Sequence, residues 1–214
     1  MAKIIEFEDW FRNQQADSFK DILAKAKSFE DIHKITTGFC GEPTFVLLNE
    51  ICKNFLDPDE QYLEIGCFGG TSLCGALRDN SVHAQVIDPL PDAFKPGGTK
   101  TILEWFTNAV NHFGLTDRIT LHRMRYQDFD KDIPKIGLYF YDGAHEQGTT
   151  YPALKEFEKY LADTAIIIVD DLLHEPWIER EVNLYIENSK FAQKIGVFPF
   201  SMHQIVIIFC RENN

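Results

Sequence analysis

Carboxylates recur at the ends of apolar runs in this sequence. Glu64 lies in YLEIG, Asp88 closes HAQVIDP, Asp128 follows RITLHRM after a Tyr126-Gln127 turn, Asp142 closes IGLYFYDG, and Asp170 and Asp171 close AIIIVDD. A single Asp at a strand end commonly caps the following helix. Five runs in succession delivering an acid to the same place describe a ligand site. The first acid adjoins a glycine cluster, Glu64-x-Gly66-x-Phe68-x-Gly70 followed by Thr71-Ser72. It has neither the GxGxxG spacing of dinucleotide enzymes nor the lysine of a phosphate loop. Neighbouring carboxylates would repel a pyrophosphate and suit a ligand with hydroxyls or an ammonium group. The glycines let backbone approach that ligand, or serve only a tight strand–helix turn. Asp88 is placed to accept hydrogen bonds from the two hydroxyls of a ribose.

Asp142, Asp170 and Asp171 form a second set, the pair following Asp142 by 28 residues. On adjacent strands their charges would repel. A hard divalent cation, Mg2+, Ca2+ or Mn2+, would relieve the conflict. The alternative is that Asp170 caps a helix, Asp171 faces water and Asp142 assists the ligand of the glycine loop. His145, three residues after Asp142, is chemically able to act as a general base near neutral pH, or else bonds a loop carbonyl. His174, Glu175 and Trp177 line a substrate pocket or, in the case of Trp177, simply pack. His203 is expected to be exposed in a hairpin turn.

These side chains need a frame. Helices are predicted over 7–32 and 43–56, the second ended by Asp57-Pro58. Strand and helix patterns then alternate: strands over 62–66, 83–89, 118–124, 136–143 and 165–171, helices over 70–79, 101–114, 152–161 and near 177–188. Strands this apolar are covered on both faces, which predicts an α/β fold with a doubly wound, mostly parallel sheet. Two last strands, 194–200 and 204–210, are too close for a helical crossover and predict an antiparallel C-terminal edge hairpin. Ligands of such sheets sit beyond the carboxyl ends of the strands.

The chain has 214 residues and a formal net charge of −12, without a Lys/Arg run, which argues against nucleic acid and anionic membranes as partners. Five cysteines, with no CxxC, fit neither a zinc site nor a disulfide framework. No segment approaches the roughly 18 apolar residues of a membrane span, and the N-terminus carries acids where a secretory signal would be apolar. The expected location is cytoplasmic, and homo-oligomers are compatible with the sequence.

YLEIGCFGGTSL, VIDP, the Gln127-Asp128 turn, FYDGAH and IIIVDD together resemble the class I S-adenosylmethionine-dependent methyltransferases, over roughly residues 36–210. The resemblance is closest to metal-dependent small-molecule O-methyltransferases of the catechol and sugar or macrolide types. It implies a seven-stranded sheet, a Rossmann-like methyltransferase core over 58–214, and N-terminal helices over 1–57 as a cap or substrate-side lid. It implies that Gly66, Phe68 and Gly70 wrap the methionine part of the cofactor, with Thr71 and Ser72 near its carboxylate and Glu64 beside the loop. Asp88 would bind the ribose, Gln127 and Asp128 would flank the adenine, and Thr36 to Gly41 would close over cofactor and substrate. Asp142, Asp170 and Asp171 would hold Mg2+ or another hard cation, which would orient two neighbouring hydroxyl oxygens of a small-molecule substrate. His145 stands where catechol-type enzymes have a lysine base. The competing expectations are metal-free N- or C-methylation, and a non-catalytic S-adenosylmethionine-binding module. A nicotinamide oxidoreductase is disfavoured by the absent GxGxxG.

Overall fold

The computed structural model describes residues 2–144, 146–173, 175–200 and 203–211. The run Ile136–Tyr141 is buried at every position, as a strand must be when helices cover both faces of its sheet. It is β4 of a seven-stranded sheet that also contains β1 (Gln61–Ile65), β2 (Ala84–Ile87), β3 (Ile119–His122), β5 (Leu161–Val169), β6 (Ala192–Phe198) and β7 (Gln204–Cys210). The strand order is β3-β2-β1-β4-β5-β7-β6. β1 to β5 pair in parallel, and β7 runs antiparallel to both β5 and β6. The doubly wound sheet and its edge hairpin are therefore as the alternation predicts. The order reverses between β1 and β4, where the crossovers leave opposite faces and a crevice opens.

Alternate strand residues feed two cores. Leu138, Phe140, Ile166, Ile168 and Val206 face one side. There they pack with α1 (Ala2–Ala16), α2 (Lys20–Ala26), α3 (Ile32–Ile35), α4 (Glu42–Asn54), α5 (Thr71–Ala76) and α6 (Ile102–His112). Tyr139, Tyr141, Ile167, Val169 and Ile207 face the other side, against α7 (Thr150–Phe157) and α8 (Pro176–Asn188).

Two stretches depart from the periodicity. The expected helix over 7–32 breaks after α1, where Ser18 and Phe19 both take φ 55°. That turn drives the Phe19 ring edge-on against Phe198, centroids 5.0 Å apart, and aromatic burial outweighs continued helix. β5 begins at Leu161, where the sequence pattern continues a helix. The Arg211 guanidinium donates to the carbonyls of Glu158 at 2.6 Å and Leu161 at 2.8 Å, which closes α7 and starts the strand early. Among the described residues no helix is long and apolar enough to cross a membrane.

Candidate active site

The acids share one edge because the sheet's hydrogen bonding continues one residue past each strand. Asp142 N–H donates to Ile65 at 3.0 Å, Asp170 N–H to Tyr141 at 3.0 Å and Asp88 N–H to His122 at 3.2 Å. Gly66 N–H donates to Ile87 at 3.1 Å, and Gly66 takes φ +91°. A Cβ at Gly66 would run into the backbone carbonyl of Asp142. Only glycine lets the β1 and β4 ends meet this closely. The chain then turns through Phe68 (φ 48°) and Gly70 (φ 84°) into α5.

Above this edge is a cavity of about 940 Å³, lined in part by Gly66, Phe68, Thr71, Ser72, Asp88 and Gln127, and farther along by Asp142, Asp170 and Asp171. The structure thus brings the two predicted sets of residues to one space. Glu64, Gly70 and Asp128, predicted at the cofactor end, stand back from the lining. Gly70 forms the turn beneath it. Asp128 is ion-paired with Arg125, Nε to Oδ2 3.0 Å, and it is Arg125 and Gln127 that line the cavity. Glu64 is fully buried, accepting from the Tyr62 hydroxyl at 2.8 Å and from the Ser72 hydroxyl. It reaches the cavity through Ser72. Burial pushes its carboxyl up to about 7 against those two donors.

The Asp88 carboxylate accepts from Phe68 N–H at 2.9 Å and from Leu90 N–H at 2.8 Å. Burial raises its pKa, and these amides oppose the rise. The thiol and backbone N–H of Cys67 act on it in the same sense. The Thr71 hydroxyl is 2% exposed, lines the cavity and has no protein partner. A buried orphan of this kind marks where a ligand's polar group belongs.

The segment before α4 folds onto the glycine loop. Thr37 bridges to Gly69 and Gly70, and Gly38 sits so close to Thr71 that a Cβ would meet its hydroxyl. Phe39, 92% exposed, stands at the cavity mouth with its ring 6.0 Å from Phe68, which in turn lies 5.7 Å from Phe94. Cys40 and Cys67 also line the cavity. Burial pushes both thiols up, so neither is a ready nucleophile.

At the far end, loss of water and then the charges of Asp170 and Asp171 push the Asp142 carboxyl well above the usual range. Oxygen donors of this kind suit a hard cation, but Asp170 Oδ1 is occupied by Gln204 Nε2 at 2.6 Å and Asp171 N–H at 2.8 Å. Among the described residues, no group of three His, Cys, Asp or Glu side chains is arranged to hold a metal ion.

His145 and His174 lie outside the described residues. Glu175 precedes α8, and Trp177 packs against the α8-side core; neither lines the cavity. His203 is only half-exposed. Its carbonyl accepts from Leu172 N–H at 3.1 Å, and its Nδ1 is shielded from water. His203 is thus held beside the acid rim rather than exposed as expected. Sequence reasoning also passed over Arg125, Glu146 and Gln204. The first two sit beside recognised positions, whereas no local pattern marks Gln204.

A family model described as a methyltransferase domain matches residues 63–172. A protein of Acanthamoeba polyphaga mimivirus, R132, is 24% identical over 178 residues, which cover 79% of this chain and 76% of the viral one. Among solved structures, a Corynebacterium glutamicum protein superposes with a TM-score of 0.64 at 13% identity, covering 95% of this chain and 98% of its own. The O-methyltransferase TomG of Streptomyces achromogenes, involved in tomaymycin synthesis and solved with S-adenosylmethionine, gives 0.56 at 15% identity, covering 89% and 90%.

Proposed function

The protein belongs to the methyltransferase domain family, whose model spans more than half of the chain, and we propose that it methylates a hydroxyl of a small molecule with S-adenosylmethionine. The observation that carries this reading is the single cavity of about 940 Å³ joining Asp88 and Thr71 to Asp142 and Asp170. Ligand pockets commonly enclose roughly 300–1,000 Å³, so one cavity has room for a cofactor and an acceptor together. S-adenosylmethionine supplies an electrophilic methyl group on a sulfonium sulfur.

The chain's own residues divide the work along the cavity. Asp88 accepts from the ribose hydroxyls. Gln127 flanks the adenine. Thr71 and Ser72 donate to the methionine carboxylate. Glu64, bound to Ser72, adds negative character behind the loop that favours a cationic ligand. Segment 36–41 is the part of the N-terminal region that closes over cofactor and acceptor, and Phe39 excludes water at the mouth. The acids at the far end hold the acceptor oxygen in line with the methyl group, a gain in proximity and orientation. His145, on sequence position alone, takes the acceptor's proton.

The metal-assisted form of this reading requires Asp142, Asp170 and Asp171 to converge on one ion, with Asp170 offering Oδ2 while Gln204 holds Oδ1. Without a cation, burial and the charges of Asp170 and Asp171 raise the Asp142 pKa instead. Calorimetry with S-adenosylmethionine, followed by a screen of hydroxylated acceptors for S-adenosylhomocysteine, tests the function. No cofactor binding refutes it. Turnover only of amines or carbon acids moves the activity to another atom. Turnover abolished by EDTA and restored by Mg2+ reinstates the metal.

A further inference from the structure

Gln204 opens β7 and is fully buried. It pairs across the hairpin with Phe198, and Ile205, Val206 and Ile207 follow it, all without solvent exposure. An apolar side chain would suit such a place, and an amide is tolerated there only if its groups are bonded. Its Nε2 donates to Asp170 Oδ1 at 2.6 Å, a charge-assisted bond. Its Oε1 accepts from the Thr44 hydroxyl at 3.5 Å. Thr44 lies in the first turn of α4, directly after the segment that closes over the glycine loop, and also bonds the Cys40 thiol at the cavity wall. The backbone holds the same two loops together, Leu172 N–H donating to the His203 carbonyl.

The geometry points to Gln204 as a positioning residue that sets the direction of the Asp170 carboxylate and links it to the cavity-closing segment. This rests on the reading of Asp170 as part of the acceptor end of the site. Two donors on Oδ1, from Gln204 and from Asp171 N–H, fix the rotation of the carboxyl group. The direction of Oδ2 is thereby fixed as well. Without the Gln204 donor, one of the two bonds that orient Oδ1 is lost, and the bond from the Thr44 side no longer reaches the rim. Misplacement of one polar group is costly in a reaction that depends on alignment.

Gln204→Met keeps the side chain's length and removes the donor. With the best acceptor from the screen, kcat is expected to fall by about tenfold or more, the scale at which loss of an orienting partner is felt. The Kd for S-adenosylmethionine should move by less than about twofold, because Gln204 itself does not line the cavity. In an Asp170→Asn background, Gln204→Met should add little further loss, since both act on one group. Unchanged kcat in Gln204→Met, or losses that multiply in the double variant, overturns the inference. If the wild type turns over no acceptor, the proposed function fails, and a spectroscopic measurement decides the inference by itself. The side-chain amide protons of Gln204 should be shifted downfield and protected from exchange, and Asp170→Asn should move them. An amide signal that exchanges freely, or ignores Asp170→Asn, overturns it.

Discussion

Asp88 is bound from the protein side by two backbone amides and, in the proposed function, from the cavity side by two hydroxyls. Asp88→Ala would remove the charged acceptor and release the turn at Phe68. A hydrogen bond to a charged group contributes about 1.5–3 kcal/mol. Loss of the pair is expected to weaken S-adenosylmethionine by roughly 100-fold or more in calorimetry, and an unchanged Kd would remove Asp88 from the site. Glu64 makes a different prediction, about pH. Burial raises its pKa from 4.5 to about 7. Below about pH 4.5 the folded and unfolded chains both hold the proton, and the shift costs nothing. Between 4.5 and about 7 the unfolded chain ionises first, so stability falls as pH rises. Above that window the loss is complete, at roughly 3 kcal/mol for a shift of this size. Denaturant unfolding of the wild type across pH 4.5–8 should show this decline, and Glu64→Gln should flatten it. Parallel curves for the two proteins would show that Glu64 ionises normally in the fold.

Between residue and molecule, α5 matters most, because it carries Thr71 and Ser72. Its position is set by close packing against α4. A Cβ at Gly75 would lie 2.5 Å from the Cβ of Phe45, and the buried Asn49 amide of α4 donates to the carbonyls of Gly75, Ala76 and Arg78 at 3.2, 3.1 and 2.7 Å. Gly75→Ala poses two opposed effects. Alanine gains about 1 kcal/mol of helix propensity over glycine, whereas forcing a methyl group into packed backbone costs about 1–3 kcal/mol. The contact with Phe45 is too short to relax cheaply, so net destabilisation in urea is expected, together with weaker S-adenosylmethionine binding as α5 shifts. A more stable variant with intact binding would contradict this packing. Elements of this kind also show what the sequence could tell. The β-α alternation and the short last connection specified the sheet and hairpin, because periodicity reports which faces are covered. The acids at strand ends located the rim for the same reason. The break at Ser18-Phe19, the α4–α5 approach through Gly75, and the reach of Gln204 to Asp170 depend on contacts between distant parts of the chain, and no local spacing encodes them.

At the scale of the whole molecule, the cavity is where separate parts of the chain converge. The ends of β1, β2, β4 and β5, the turn after β3 and the segment before α4 all line it. A ligand there contacts both the sheet and the N-terminal region, so its binding energy should appear as stability of the entire cooperative unit. A ligand at 100 times its Kd stabilises by about 2.7 kcal/mol. For a chain of this length each kcal/mol moves Tm by about 2–4 °C, so saturating S-adenosylhomocysteine should raise Tm by roughly 5–10 °C. The same melt separates the two ways of settling the repulsion among Asp142, Asp170 and Asp171. If no cation joins the three carboxylates, the ligand-induced rise is equal in EDTA and in Mg2+, and this is the expected outcome, since no group of three such side chains among the described residues is arranged to hold a metal. If a cation joins the three carboxylates, Mg2+ adds a further rise that Asp142→Asn abolishes. Such a second rise would show that the three carboxylates of the acid rim converge on a metal.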